Sequence, residues 1–123
     1  MKQENPNIND ESSFKGLIDP YINAILTKKA KNIVALNVRE FCSYTDGIIM
    51  CTGTSTRQVI AIGEQIEYYL KQKGTRPLSI EGLKDGRWVL MDYGEVIIHV
   101  FYEEIRDFYD LEGLWIDVPR IDF

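Results

Sequence analysis

The chain is poor in the residues that most often carry covalent or metal chemistry. Its 123 residues include one histidine and two cysteines. A single His cannot supply a zinc site of ordinary ligand spacing, so no metal and no cofactor are expected. Cys42 and Cys51 are too few for a disulfide framework. Each lies in or beside a β-rich run, where a free Cys behaves as a small hydrophobe. No apolar run approaches the ~18 residues that span a bilayer. The N-terminus, Met-Lys-Gln-Glu-Asn-Pro-Asn, lacks the apolar stretch of a signal peptide. A cytoplasmic protein without a membrane partner is therefore expected. Clustered positive charge is also scarce. The 14 basic residues are scattered apart from Lys28, Lys29 and Lys31, and the net charge is −5. That cluster falls late in an expected helix, where cations suit the macrodipole. Gripping nucleic acid takes clustered Lys and Arg, so direct nucleic-acid binding is not expected as the main contact. An acidic domain suits a basic protein partner better.

Hydrophobic residues make up 45% of the chain, enough for the core of a single domain. Residues 1–13 are polar and read as a flexible tail. Residues 14–118 read as the domain, and 119–123 as a C-terminal tail beyond the ordered part. Asp19-Pro20 reads as a helix start, because Asp caps free amides and Pro is tolerated at the first helical position. That predicts a helix over 20–31, followed by a strand at Ile33–Val38. Ile48–Thr52 is an almost unbroken apolar run, which predicts a strand buried on both faces. Gly53-Thr54-Ser55-Thr56 opens a helix with Ser55 or Thr56 as N-cap. Val59, Ile62, Ile66, Tyr69 and Leu70 form its apolar stripe, and Gly74 closes it. Pro77–Ile80 reads as a short strand. Glu103–Leu111 reads as a short helix with Ile105, Phe108 and Tyr109 inward, and Leu111, Leu114 and Trp115 anchor the C-terminal segment. The element order α-β-β-α-β-β-β-α predicts an α/β (α+β-like) domain with a mixed sheet of about five strands and packed helices.

The most informative stretch is Arg87–Phe101, two β-rich runs around Gly94-Glu95. With these two as the turn, Tyr93 pairs with Val96, Asp92 with Ile97, Met91 with Ile98, Leu90 with His99, Val89 with Val100 and Trp88 with Phe101. One face then carries Val89, Met91, Tyr93, Val96, Ile98 and Val100, and reads as core. The other carries Trp88, Leu90, Asp92, Ile97, His99 and Phe101. This mixed set reads either as a docking surface or as a second small core under a loop or helix. Trp is the residue type most enriched at interface hot spots.

Three further features could carry chemistry. Thr54, Ser55 and Arg57 sit at a strand–Gly–helix junction, whose free amides suit either a helix cap or an anion. The junction lacks the Gly-Lys-Ser/Thr end of a phosphate-binding loop. A nucleotide-binding enzyme using Gly53–Arg57 is the rival reading. Metal-assisted phosphoryl transfer needs paired acids, but Asp92 and Glu95 lie on opposite sides of a turn. Glu103-Glu104 open a helix, where negative charge suits the dipole alone. No catalytic residue is assigned, and the chain does not read as an enzyme. His99 reads as an interface group, not a general base.

Three ordered stretches carry a family resemblance: Asp46–Arg57 (Asp-Gly-Ile-Ile-Met-Cys-Thr-Gly-Thr-Ser-Thr-Arg), Glu81-Gly82 with Trp88–Phe101, and Arg106–Trp115. Over about residues 17–117 the chain resembles the ribosomal silencing factor family, also called Iojap-related. The resemblance implies a nucleotidyltransferase-like fold without catalytic carboxylates. It also implies binding to a protein of the large ribosomal subunit at the intersubunit face, which blocks subunit joining and represses translation. The family's interface tryptophan falls on Trp88, and its nearby pattern on Asp92, Tyr93 and His99. Gln58 departs from the pattern, which often has His there. A free-state homodimer through the same mixed face is a third reading.

Overall fold

A computed structural model describes residues 6–123, with side chains from residue 11. A six-stranded mixed sheet runs through the domain. Its strands are β1 (Lys31–Asn37), β2 (Gly47–Gly53), β3 (Ser79–Glu81), β4 (Trp88–Asp92), β5 (Val96–Tyr102) and β6 (Arg120–Asp122), in the spatial order β3-β4-β5-β2-β1-β6. Every neighbouring pair is antiparallel except β2 and β5. A parallel pair needs a long crossover, and α2 (Thr56–Gln72) lies within it. As its apolar run predicts, β2 is buried along its whole length.

Helices α1 (Pro6–Leu26) and α2 cover one face of the sheet. The larger core lies beneath them, with Ile18, Tyr21, Ile25, Val59, Ile62, Ile66 and Leu70 against Ile49, Val89, Met91, Ile98 and Val100. On the other face α3 (Glu103–Tyr109) and a 3-10 turn (Leu111–Trp115) cover a smaller core of Leu36, Ile48, Met50, Phe101 and Val118. This second layer covers the β2 side of the face, while Trp88, Leu90, Asp92 and Ile97 on β4 and β5 stay partly exposed.

Four expectations need correction. Helix α1 starts well before Asp19, and Pro20 lies inside it. Residues 6–13 of the expected tail are therefore helical, while residues 1–5 lie outside the described residues. A proline in a helix removes one amide donor. Pro20, Asp19 and Gly16 are all exposed, so water can serve the carbonyl left without that donor. The apolar stripe Phe14, Ile18, Tyr21, Ile22, Ile25 has helical spacing and outweighs the Pro signal. The second correction is at the C-terminus. Residues 120–122 form β6 against β1, with Ala35 opposite Ile121, which makes the sheet six strands instead of about five.

The third and fourth corrections concern the second layer. Phe108 and Leu114 point outward, at 79% and 75% exposure, and Tyr109 is more than half exposed. The side chain that turns inward from α3, beside Ile105, is Arg106, which is buried. Its guanidinium donates to Glu112 Oε1 at 2.9 Å, to the Asn32 carbonyl at 2.6 Å and to Thr52 Oγ1 at 2.8 Å. One charge thus ties the 3-10 turn to the ends of β1 and β2. Glu112 also meets Arg120 of β6 at 3.5 Å. Removing one member of a buried pair leaves the others unsatisfied. Arg106→Ala is expected to destabilise the fold by roughly 3 kcal/mol in urea unfolding. A loss below about 1 kcal/mol, the scale of an exposed ion pair, would show that apolar contacts alone hold this layer.

Candidate functional site

The β4–β5 hairpin has the expected register, from Trp88 opposite Phe101 to Asp92 opposite Ile97. The Tyr93 amide donates to the Val96 carbonyl at 2.9 Å, which leaves Gly94 and Glu95 as the turn. Gly94 holds φ +85°, a conformation glycine adopts at no steric cost. Asp92 Oδ1 accepts from the Gly94 amide at 2.8 Å. The carboxylate on this half-apolar face therefore has a partner within its own turn. The tip is fastened from both sides. The Tyr21 hydroxyl of α1 donates to Glu95 Oε1 at 3.1 Å, and the Glu95 carbonyl accepts from the amides of Asp46 and Gly47. Burial and the Glu95 carboxylate push the Tyr21 hydroxyl's pKa up, which keeps it a donor.

The face predicted to dock is now resolved into exposed and supporting members. Trp88, Leu90, Asp92 and Ile97 reach the surface. Phe101 is fully buried and His99 is 7% exposed, so both act from beneath. Tyr93 does not belong to this surface. Strand alternation puts it on the opposite face, where its ring packs edge-on to Tyr21 at 5.4 Å. Burial there pushes the Tyr93 hydroxyl up to about 12.

Trp88 is held in place by geometry. Its indole Nε1 donates to His99 Nδ1 at 3.0 Å. An indole nitrogen only donates, so Nδ1 must be unprotonated and the imidazole neutral, with its proton on Nε2. Burial pushes the His99 pKa down to about 4, which keeps it neutral at physiological pH. The Trp88 ring lies 5.0 Å from Phe101 and 5.1 Å from Tyr109 of α3, centroid to centroid. Behind Trp88 runs the loop from Gly82 to Arg87. Gly82 holds φ +89°, and a Cβ there would collide with the Trp88 carbonyl. The Glu81-Gly82 pair of the sequence motif is thus the place where β3, with Glu81 opposite Leu90, ends in close contact with the β4 backbone.

The Thr54–Arg57 junction is occupied by its own cap. Ser55 Oγ accepts from the Gln58 amide at 3.0 Å. Gln58 Oε1 accepts from the Thr54 amide at 2.6 Å and from Thr54 Oγ1 at 2.8 Å. This is close to the reciprocal capping arrangement of Ser and Gln three residues apart. Gln58, whose role the motif left open, is the residue that closes it. The exposed Arg57 takes no part in these bonds.

Sequence reasoning gave no site role to Arg106, Tyr109 or Gln58. A signal for Arg106 was present, since it is the one basic residue among the acids that run from Glu103 to Glu112. Trp88 is partly buried and borders a small notch. The notch beside it, lined by Asp85, Arg87, Ile105 and Tyr109, holds about 200 Å³, below the ~300–1,000 Å³ of ligand pockets. Among the described residues, no helix is long and apolar enough to cross a membrane.

Comparison with known proteins gives a consistent result. Residues 11–123 match the family model described as ribosomal silencing factor during starvation. A ribosomal silencing factor RsfS from Halalkalibacterium halodurans is 37% identical over 110 residues, covering 89% of this chain and 94% of that protein. The mouse protein named mitochondrial assembly of ribosomal large subunit protein 1 is 30% identical over 109 residues, covering 86% of this chain and 48% of that one. A crystal structure of a protein from Chromobacterium violaceum superposes with a TM-score of 0.79 at 36% identity, covering 82% of this chain and 84% of that one.

The buried imidazole predicts a pH dependence. The folded His99 binds its proton at about pH 4 and the unfolded chain near 6.5, so the unfolded state takes up protons first. The His99 contribution to stability is complete above about pH 6.5 and is lost as pH falls to about 4, on the order of 3 kcal/mol. Urea unfolding across this range is expected to show a steeper acid loss in the wild type than in His99→Phe. Parallel curves would show that His99 is not the group that titrates.

Proposed function

The chain belongs to the ribosomal silencing factor family, and on that premise we propose that it represses translation by holding the ribosomal subunits apart. In this reading it docks on a basic protein of the large subunit, at the face where the small subunit joins, and works in the cytoplasm where ribosomes are. The observation that carries the proposal is the Trp88 surface: an aromatic anchor, partly exposed, with its rotamer held by His99 and its back against Phe101. Large aromatic side chains that are already ordered lose little entropy on binding, which is the usual character of a hot spot. Leu90, Asp92 and Ile97 extend the same surface.

Three observations support this partner class. The net charge of −5 suits a basic partner and speeds encounter with it. The mouse relative is named for assembly of the large subunit. The small size of the notch at Trp88 favours a macromolecule over a small molecule. Occlusion needs no chemistry. An interface of ~800 Å² per partner is ordinary, and the effect depends on residence time, which is mainly a matter of dissociation rate.

Light scattering of purified subunits tests the proposal. Excess protein is expected to slow or prevent formation of joined ribosomes. Trp88→Ala should weaken binding to isolated large subunits by roughly 2 kcal/mol or more, about thirtyfold in Kd. Joining that proceeds unchanged in the presence of excess wild-type protein would refute occlusion. An unaltered Kd for a Trp88→Ala variant with native circular dichroism would take Trp88 out of the interface. Sedimentation of the free protein reveals any homodimer through this face, which would compete with docking.

A further inference from the structure

The aromatic contacts of Trp88 do not stop at the hairpin. Tyr109 of α3 lies 5.1 Å from Trp88, and Phe108 packs edge-on to Tyr109 at another 5.1 Å. Exposure rises along this row, from the partly buried Trp88 to 55% at Tyr109 and 79% at Phe108. An exposed phenylalanine at the end of a continuous ring row gains little from the fold itself. Glu104 lies one helical turn before Phe108 on the same face of α3, and Asp107 lies beside it. Both acids are exposed, as is Glu103. The cation of this helix, Arg106, is buried and committed to Glu112, so it does not neutralise that face. Arg87, across the notch from Tyr109, is held by Asp85 in two hydrogen bonds.

We propose that this outer face of α3 is the second half of the docking surface, and that it receives a lysine- or arginine-bearing segment of the same large-subunit protein. The inference rests on the Trp88 reading and adds the partner's chemistry. A cation over the faces of Phe108 and Tyr109 is attracted by the ring quadrupoles, and the attraction strengthens as water leaves. Glu104 and Asp107 supply the opposite charge at the rim, which acts mainly on association rate. The hairpin would thus give an apolar anchor, and α3 a cation-selective flank that discriminates against neutral or acidic surfaces.

Equilibrium and kinetic binding of the full chain to isolated large subunits tests this, with Phe108→Ala and the double variant Glu104→Lys/Asp107→Lys. All three side chains are exposed, so native circular dichroism is expected for both variants. Phe108→Ala should weaken binding about five- to tenfold, the range of a cation–π contact. The charge reversal should slow association several-fold at low salt, and that difference should shrink as salt screens it. Wild-type affinity in both variants, with Trp88→Ala still weakened, would refute the α3 flank and leave the hairpin surface standing. No binding by the wild type would remove both. Self-association abolished by Phe108→Ala without loss of subunit affinity would assign the outer face of α3 to a second copy of the chain and overturn the proposal.

Discussion

The register of the β4–β5 hairpin is the constraint on which the surface depends. Side chains alternate faces along a strand, so a slip of one residue would send Trp88 and Leu90 into the helical core and Val89 and Met91 to the outside. Gly94 sets that register through its positive φ, Asp92 fastens it by accepting the Gly94 amide, and the Glu95 carbonyl ties the tip to the start of β2. The parallel pairing of β5 with β2 then carries the same order to the middle of the sheet. What reaches solvent at Trp88 is decided by a turn at the far end of the strand.

Beneath the surface lies a polar contact in a low-dielectric place. An indole N–H withdrawn from water favours an acceptor, and a buried imidazole is cheapest when neutral. Trp88 and His99 satisfy both requirements with one hydrogen bond. The consequence is an indole oriented by a hydrogen bond that is sensitive to protonation of its acceptor. Arg106 plays a comparable part for the second layer, joining Glu112, Thr52 and the Asn32 carbonyl. Since α3 carries Tyr109 against Trp88, the buried guanidinium and the buried imidazole together place the two parts of the surface relative to each other.

Much of this was legible from residue order. The hairpin register, the doubly buried β2, a helix cap at Ser55 or Thr56 and the Gly74 stop follow from local rules that act over a few residues. The beginning of α1 was misread because Asp19-Pro20 is a strong local signal, whereas the stripe from Phe14 to Ile25 counts only once the sheet beneath it is known. Strand β6 was missed because three residues after a proline have no pattern of their own, and their pairing with β1 is long-range. The roles within the mixed face divided on burial. Sequence placed Phe101 and His99 on the same side as Trp88, but only the packing of α3 shows which of them water can reach. Tyr93 entered the site through the family pattern, although alternation puts it on the core side. Arg106 was passed over because a charged residue in an amphipathic helix is ordinarily solvated.

The central claim is that the Trp88 and α3 surface, and not the α1–α2 side, meets the large subunit. Hydroxyl-radical footprinting tests it most directly, because Tyr68 on α2 is 61% exposed on the opposite layer and serves as an internal control. On addition of isolated large subunits, Trp88, Tyr109 and Phe108 are expected to lose labelling while Tyr68 keeps it. Protection of Tyr68 with Trp88 and Phe108 still labelled as in the free protein would contradict the account.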